Sequence, residues 1–239
     1  MRKIAALYSL PVLAAIALVA AQQDPLQDGP SALLIQYRCT PAERGAFRQA
    51  MESSGVRAFE GWKTNGILVD YHLLFSRYTD SNNWDMLAIL QFRDYASVVK
   101  WNGVERRTPA GLDSGVMAHV YSVSSYPVDP VRVLMPDSAI EHPVYLVTPY
   151  AVSGSVPQFV QYLDQTVVPQ LGRLANGGPL AGYWIFCQRY MAARPWDSLV
   201  VLEYKDHESS AQAKPLDERQ GPLGASREAV IADEIRPTR

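Results

Sequence analysis

Apolar residues fall into short runs along this chain, and one run of mixed apolar and polar positions is present twice. Residues 84–94 begin with Trp-Asp, continue through branched apolar residues and end with an aromatic residue, a cation and Asp. Residues 196–206 repeat this order at an offset of 112 residues, the separation of Trp84 and Trp196. Short runs rich in branched residues are typical of β-strands. The sequence therefore predicts two related units, each built around such a strand.

The first unit is predicted to be a β-α-β-β-α-β arrangement, which is the ferredoxin-like order. Thr40, Pro41 and Glu43 form a capping pattern that predicts the start of the first helix. A polar loop at 79–83 predicts a hairpin between the second and third strands. The strands are expected at 32–38, 69–78, 84–92 and 116–124, and the helices at 41–62 and 95–104.

The second unit repeats this order after a segment at 125–141 that is rich in Pro and Asp, which indicates a connector. Pro157 suits the first turn of its long helix, whereas Pro169 is expected to kink that helix. The two repeats thus occupy residues 32–124 and 142–236. The strands of the second repeat are expected at 144–150, 183–190, 196–204 and 229–235, and its helices at 155–174 and 206–214.

The repeat has a physical consequence for the fold. A four-stranded sheet with both helices on one face leaves its other face bare, which costs about 25 cal/mol for each Å² of apolar surface in water. A second copy can cover that face and pair with the open edge strands. We therefore predict an α+β fold, in which two tandem ferredoxin-like βαββαβ repeats form one intramolecular α/β barrel with its helices outside.

Strand alternation assigns the side chains of the first hairpin to two faces. His72 is placed on the helix-facing side as a packed or edge histidine, and Trp84 and Trp196 are expected to pack in the core or at the rim. The predicted interior face carries Tyr71, Leu73, Phe75 and Arg77, and the predicted helix-facing side carries Leu74, Met86, Leu90 and Phe92.

Pairing of the hairpins about their turns predicts polar pairs at the ends of an apolar face. Such pairs could close a ligand cavity, or they could simply lock the hairpin, for which a cross-strand pair contributes about 0.2–1 kcal/mol. The stabilising interpretation is favoured, because duplication preserves either kind of pair. The predicted pairs are Arg77 with Asp85 and Tyr71 with Gln91 in the first repeat, and Arg189 with Asp197 and Tyr183 with Glu203 in the second.

The order of elements over residues 32–236 resembles the dimeric α/β-barrel superfamily, in a version with both halves fused. Within it, the sequence is most similar to NIPSNAP-like, EthD-like and antibiotic-biosynthesis-monooxygenase-like domains. This resemblance implies the barrel but not an activity, because one fold hosts many chemistries. Some members bind haem through a histidine, so the resemblance makes His119 the candidate ligand. The matching position in the second repeat is expected to be Asp233.

The composition and the motifs of the chain disfavour several classes of function. The chain has 239 residues, 48% hydrophobic and 19% charged, with a net charge of −2, which is typical of a globular protein. Without a basic run, nucleic-acid binding is disfavoured. Signatures of a serine nucleophile, a phosphate-binding loop and a dinucleotide site are absent, and the four histidines lack metal-ligand spacing. No metal and no cofactor is predicted.

The first residues are typical of a secretory signal peptide at 1–21, with Arg2 and Lys3 before an apolar run and small residues at its end. An uncleaved anchor is the alternative. The mature protein is expected to be soluble and periplasmic or secreted, with no membrane contact and with oligomerisation left open. Cys39 and Cys187 are interpreted as small buried residues, and a disulfide between them is left open.

Three functions remain after these exclusions. The leading interpretation is an exported protein of unknown activity that could bind a small apolar ligand in its barrel. The alternatives are a cofactor-free monooxygenase or isomerase and an interaction module with a filled barrel. An open polar pocket, an apolar pocket or a packed interior would discriminate them. The candidate ligand-binding residues are Tyr71, Arg77, Asp85, His119, Tyr183, Arg189, Asp197 and Glu203.

Overall fold

The computed structural model describes residues 30–136, 138–190, 195–211, 216, 223–226 and 228–237. The predicted signal peptide at 1–21 lies outside these residues, so export stays a prediction. Among the described residues, no helix combines the length and the apolar character that crossing a bilayer would require.

The described strands follow the predicted order, with one short strand added near the C-terminus. They are β1 (Ala32–Arg38), β2 (Asp70–Ser76), β3 (Met86–Gln91), β4 (Ser122–Leu134), β5 (Val144–Val152), β6 (Leu180–Gln188), β7 (Ser198–Tyr204), β8 (Leu223–Ser226) and β9 (Val230–Glu234).

The long helix of each half is continuous but contains one wider, π-helical turn. In the first half α1 (Arg44–Ala50) and α2 (Val56–Thr64) flank the turn Met51–Gly55. In the second half α5 (Val156–Tyr162) and α6 (Val168–Ala175) flank Leu163–Val167. The shorter helices are α3 (Tyr95–Glu105), α4 (Ser114–Met117) and α7 (His207–Ala211), with a 3-10 turn at Pro109–Gly111.

Pro169 does not break the second long helix. It lies in the first turn of α6, where a proline needs no hydrogen-bond acceptor for its missing N–H, directly after the wider turn. The first half has its wider turn at the matching place, Met51–Gly55, without any proline. The widening is therefore a property of the repeat, and the proline is accommodated by it.

The strands close into one antiparallel barrel. Within the described residues, the ring runs β1-β3-β2-β9-β5-β7-β6-β4 and returns to β1, while β8 extends the edge of β5. Each half has the ferredoxin-like order, with its last strand beside its first. The predicted α+β fold of two ferredoxin-like repeats in one intramolecular barrel is confirmed.

The two halves meet along two seams of unequal length. The long seam joins β4 to β6 and pairs residues from Val128 with Gln188 to Leu134 with Tyr183. The short seam joins β2 to β9 and pairs only Leu74, Phe75 and Ser76 with residues of β9. Both seams are antiparallel, so a pseudo-twofold axis along the barrel relates them.

Three apolar cores stabilise this arrangement, one inside the barrel and one under the helices of each half. Cys39 and Cys187 are buried in the two different outer cores, as small apolar residues are expected to be. The interior core is filled by large side chains from both halves, including Leu34, Leu74, Trp84, Leu87, Ile89, Tyr145, Trp184, Phe186, Trp196 and Val201.

The start of the fourth strand was predicted wrongly. Helix α4 occupies Ser114–Met117, because the Asp113 carboxylate accepts hydrogen bonds from the N–H groups of Gly115 and Val116. Strand β4 then runs from Ser122 to Leu134, so the first ten residues of the predicted connector are strand. The predicted capping box at Thr40 is also wrong, since α1 begins at Arg44 without a side-chain cap.

The hairpin register differs from the prediction by one residue in both halves. Phe75 lies opposite Met86, and Phe186 lies opposite Leu199. A shift of one residue exchanges the faces of a strand. Leu74 therefore belongs to the barrel interior, and Phe75 packs under the helices of the first half with Met86. The predicted interior face of β2 is thus its outer face.

Candidate functional site

One end of the barrel gathers polar side chains from five strands. At this end β3, β7 and β9 finish while β2 and β5 begin. Each of the five residues alternates with interior apolar residues of its own strand, so each faces the inside of the barrel. We call this group the polar end: His72, Gln91, Tyr145, Glu203 and Glu234.

A histidine–carboxylate pair lies at the centre of the polar end. His72 Nδ1 lies 2.7 Å from Glu234 Oε1, with 12% and 9% of the two side chains exposed. The second oxygen of Glu234 accepts hydrogen bonds from the Tyr145 hydroxyl at 3.2 Å and from Arg236 Nε at 2.5 Å. Arg236 also donates to the carbonyl of Ile140. Glu234 thereby fixes the orientation of the imidazole ring.

Glu203 is a buried carboxyl without a cation bound to it among the described residues. Only 3% of the residue is exposed. Its Oε2 lies against Gly182, where an added Cβ would be 3.2 Å from that oxygen and 2.7 Å from the Leu134 carbonyl. Burial raises the pKa of Glu203, the His72 charge lowers it and the Glu234 charge raises it again, with a net increase. A buried carboxyl with a raised pKa, next to other titratable groups, is a candidate for proton exchange.

In the neighbouring His72–Glu234 pair the pKa shifts favour the charged forms, whereas in Glu203 the shift favours the neutral form. Burial lowers the pKa of His72, but the hydrogen bond and the charge of Glu234 raise it more, with Asp70 and Glu203 adding to this effect. Burial raises the pKa of Glu234, but His72 and Arg236 together lower it below its usual range. The geometry therefore favours an imidazolium–carboxylate pair next to a carboxyl that holds its proton more tightly.

Three buried nitrogens at this end lack a hydrogen-bond partner among the described residues. They are His72 Nε2, Gln91 Nε2 and Trp184 Nε1. The rings of His72 and Trp184 touch edge to face, with centroids 4.9 Å apart. Trp184 itself is 1% exposed. Buried donors normally have an acceptor, so these three atoms need a further explanation.

A surface cleft of about 540 Å³ adjoins the polar end. Pro136 lines this cleft and also lies against Gly182, as the Glu203 carboxyl does. Three smaller clefts lie elsewhere on the described surface. None of the four reaches the aromatic side chains that fill the barrel, so the predicted ligand cavity within the barrel is not among these clefts.

The first-half candidate residues lie apart from one another. Tyr71 faces the helices and donates to Glu60 at 3.0 Å. Asp85 accepts from the Cys39 N–H and from Arg44, both at 2.8 Å, and is not paired with Arg77. The shifted register explains this correction, because the residue opposite Asp85 is Ser76.

Arg77 instead crosses the short seam. It binds Asp233 through Nη2 at 2.7 Å and through Nε at 2.9 Å, and its Nη1 lies 2.7 Å from His207 Nδ1. In the second half Arg189 crosses the long seam to Asp129 at 3.1 Å. The two arginines are equivalent in the repeat, and so are the two aspartates by strand register. These duplicated ion pairs join the halves.

The remaining second-half candidates divide between the site and the scaffold. Asp197 accepts from the Val152 N–H at 2.9 Å, as Asp85 does from Cys39, and is not paired with Arg189 in the predicted way. Tyr183 packs in the outer core opposite Leu202. Glu203 lies opposite Gly182 rather than Tyr183 and is the one predicted residue within the polar end.

His119 does not lie on a strand and does not match Asp233, whose equivalent is Asp129. It follows α4, and its Nδ1 lies 2.7 Å from Glu43 Oε2 at the surface. Haem would need a histidine beside an open, largely apolar slot. No histidine lines any of the four clefts in the described part of the chain, so the residues present do not fit that group.

Sequence reasoning missed five residues of the site: His72, Gln91, Tyr145, Glu234 and Arg236. His72 was placed on the opposite face of β2, and Glu234 was treated only as part of the last strand. A usable signal exists in the repeat itself. At the offset of 112 residues, His72 corresponds to Trp184 and Gln91 to Glu203, so the two copies differ in chemistry at positions that share a barrel end.

Comparison with known proteins identifies the fold. No protein-family model matches the chain, and no curated protein sequence is significantly similar to it. A suggested monooxygenase from Fusobacterium nucleatum has a TM-score of 0.60 at 11% identity, covering 88% of this chain and 94% of that one. A suggested monooxygenase from Lactobacillus acidophilus has a TM-score of 0.57 at 11% identity, covering 88% and 95%.

A third solved structure carries a different chemistry. Chlorite dismutase from Candidatus Nitrospira defluvii, in complex with imidazole, has a TM-score of 0.51 at 10% identity, covering 87% of this chain and 92% of that one. Identities this low establish architecture and leave activity open. Together with the closed barrel, these matches show that the chain has the dimeric α/β-barrel fold, with both halves in one polypeptide.

Proposed function

We propose that this protein binds a small, mostly apolar molecule at the polar end of its barrel and exchanges a proton with it. The observation that carries the proposal is the buried Glu203 carboxyl, which faces the His72–Glu234 pair within an otherwise aromatic core. Such chemistry is that of an isomerase, or of the first step of a cofactor-free oxygenase. The suggested monooxygenases of the same fold are compatible with the second form.

The roles of the residues follow from their environments. Glu203 is the proton-exchanging group, because its raised pKa brings it closer to the pH at which a general acid or base is most efficient. His72 is held by Glu234 through Nδ1, so its Nε2 is the atom that can meet a ligand. Arg236 positions Glu234 and does not contact the ligand in this proposal.

The test uses the ligand that the protein retains. Native mass spectrometry of the purified protein should reveal a bound small molecule, which is then released and identified. In D₂O the wild-type protein should catalyse incorporation of deuterium into that molecule, and Glu203→Gln should slow this exchange by at least about 100-fold. Glu60→Gln, which changes a carboxylate on the outer surface, is the matched control and should exchange at the wild-type rate.

A second function, an interaction module with a filled barrel, is favoured by a separate observation. The interior core packs Tyr145, Trp184 and Phe186 against one another at 0–1% exposure. This function predicts that no small molecule is retained. Wild-type exchange rates in Glu203→Gln, or an empty protein in the mass spectrum, would support it and contradict proton exchange at Glu203.

A further inference from the structure

The buried atoms without partners at the polar end share one chemical property. His72 Nε2, Gln91 Nε2 and Trp184 Nε1 are all nitrogens, and no oxygen of the polar end is left in the same state among the described residues. An indole nitrogen can only donate a hydrogen bond. The nitrogens of Gln91 and Trp184 therefore need an acceptor, as His72 Nε2 does when pairing with Glu234 keeps the ring protonated, and an ammonium group offers none.

The charged groups around these nitrogens include two that can be cationic, Arg236 and His72. Arg236 and the imidazole of His72 share a single carboxylate, Glu234. Asp70 faces His72 from its own strand, Glu203 faces it from β7, and Tyr145 contributes a neutral hydroxyl from β5. Asp70 is paired with Lys63 at 2.8 Å, so Arg236 and the imidazole of His72 are opposed by Glu234 and by Glu203, whose pKa burial raises.

The position of the donors also indicates a route. His72 belongs to β2 at the short seam, where pairing between β2 and β9 stops at Leu74 and Glu234. Beyond it one hydrogen bond remains, from the Ile235 N–H to the Leu73 carbonyl. Arg236, with 38% of its side chain exposed, lies just beyond the end of this pairing. A ligand entering there meets a cation first and the buried donors next.

We infer that the ligand of the polar end is a compact organic oxyanion, such as a carboxylate or phenolate, whose oxygen accepts hydrogen bonds from His72, Gln91 and Trp184. This inference rests on the proposed function and adds the chemical class of its ligand. Leaving a buried donor without an acceptor is costly, which is why an acceptor of matching shape binds well.

The experiment compares three probes with the same ring and different charge: benzoate, benzyl alcohol and benzylamine. Binding is measured by titration calorimetry and located by NMR shifts of the His72 and tryptophan side chains. Benzoate should bind at the polar end, and Trp184→Phe, which removes the donor and keeps an aromatic ring, should weaken it at least about tenfold. Gln91→Met should act in the same direction.

Trp196→Phe is the matched control. Trp196 is also buried, at 5% exposure, and its indole nitrogen also lacks a partner among the described residues, but it lies at the other end of the barrel. This variant should bind benzoate as the wild type does. Circular dichroism of all three variants shows whether each retains its fold, and Gln91→Met decides the result if Trp184→Phe does not.

The outcomes separate this inference from the proposed function. Preference for benzylamine, or equal binding of all three probes, overturns the oxyanion class while leaving a ligand site at the polar end. Benzoate binding that survives both Trp184→Phe and Gln91→Met also overturns it. Binding of no probe overturns it as well and indicates that the donors are bridged by buried water, whereas deuterium exchange lost in Glu203→Gln would still uphold the proposed function.

Discussion

The two ends of the barrel differ in how far the two repeats have kept the same residues at equivalent positions. At one end Trp84 and Trp196, equivalent in the repeat, both remain and are 5% exposed, with Tyr126 packed on Trp196 at 5.3 Å between ring centroids. We call this the tryptophan end. At the polar end the equivalent positions differ, because His72 faces Trp184 and Gln91 corresponds to Glu203. Equivalent residues are identical at the tryptophan end and differ at the end where polar groups are buried.

This difference teaches where to seek function in a duplicated fold. Paired identical residues across a pseudo-twofold axis stabilise both halves equally, so they inform about packing. Burying a charged or polar group costs free energy unless partners are built for it, and building them on one side breaks the symmetry. A position whose two copies differ in polarity inside the core is therefore a better indicator of a site than a position whose copies agree.

The largest expected change in stability comes from a substitution at the tryptophan end. Trp84→Ala should lower the free energy of unfolding by about 3–5 kcal/mol, because a large buried ring is replaced by a void. Equilibrium unfolding in urea, followed by tryptophan fluorescence and circular dichroism, measures it. Tyr78→Ala, at a side chain that is 70% exposed, is the control and should change stability little. A loss under about 1 kcal/mol for Trp84→Ala would show that the tryptophan end is not part of the stabilising core.

The next largest change in stability should distinguish the two ion pairs that cross the seams. Arg189 and Asp129 have 13% and 1% of their side chains exposed, whereas Arg77 and Asp233 have 23% and 37%. Arg189→Met removes a cation beside a deeply buried carboxylate and should cost about 3 kcal/mol. Arg77→Met should cost under about 1 kcal/mol, because water screens its partner. Equal losses in urea unfolding would contradict the proposed difference between the seams.

A smaller effect, specific to the polar end, depends on pH. The folded-state pKa of His72 and of Glu203 is raised, so each binds its proton more tightly when folded. Stability from these groups is full below their unfolded pKa and falls as pH rises through the folded value. Glu234, whose pKa is lowered, contributes stability above its usual value, which is lost as pH falls below it.

The measurement is the unfolding free energy between pH 4 and pH 9. The wild type should lose stability as pH rises above about 6.5, the ordinary pKa of histidine, and His72→Gln should remove most of that slope. His142→Gln, which changes an exposed histidine, is the control. An unchanged slope in His72→Gln would mean that another group titrates there.

The smallest expected effect lies outside both ends. His119 and Glu43 form a surface pair with 29% and 49% of their side chains exposed. His119→Ala should change the melting temperature little, since such pairs contribute about 0–1 kcal/mol. It should also leave benzoate binding at the polar end unchanged. Loss of that binding in His119→Ala would restore this residue as a site candidate and contradict the location proposed for the ligand.

The fold could be predicted from the sequence, while the inside of the barrel could not. Duplication around Trp84 and Trp196 was enough to predict two ferredoxin-like repeats and their closure. The inward face of β2 was not predictable in the same way, because Leu73, Leu74 and Phe75 are all buried and apolar. A strand buried on both faces shows no contrast between inside and outside.

Two other errors have equally local causes. The turn at 79–83 could be centred on Ser81 or between two residues, and only the second choice gives the observed pairing of Phe75 with Met86. Strand β4 contains Pro127 and Pro130, which indicated a connector. In the barrel Pro130 is tolerated where the register with β6 shifts, between Pro130 and Arg132, whereas Pro127 lies opposite Leu33 in regular pairing with β1.

The unequal seams also predict where the barrel should open transiently by local unfolding. With three residue pairs on one side and six on the other, thermal opening should start between β2 and β9 and leave β4 and β6 joined. The imidazole of His72 and the carboxylate of Glu234 would then contact solvent, while the rings of Trp84 and Trp196 at the tryptophan end would stay buried. The amide protons of Ile235 and Arg77 donate across the short seam and should exchange with solvent well before those of Trp184 and Phe186.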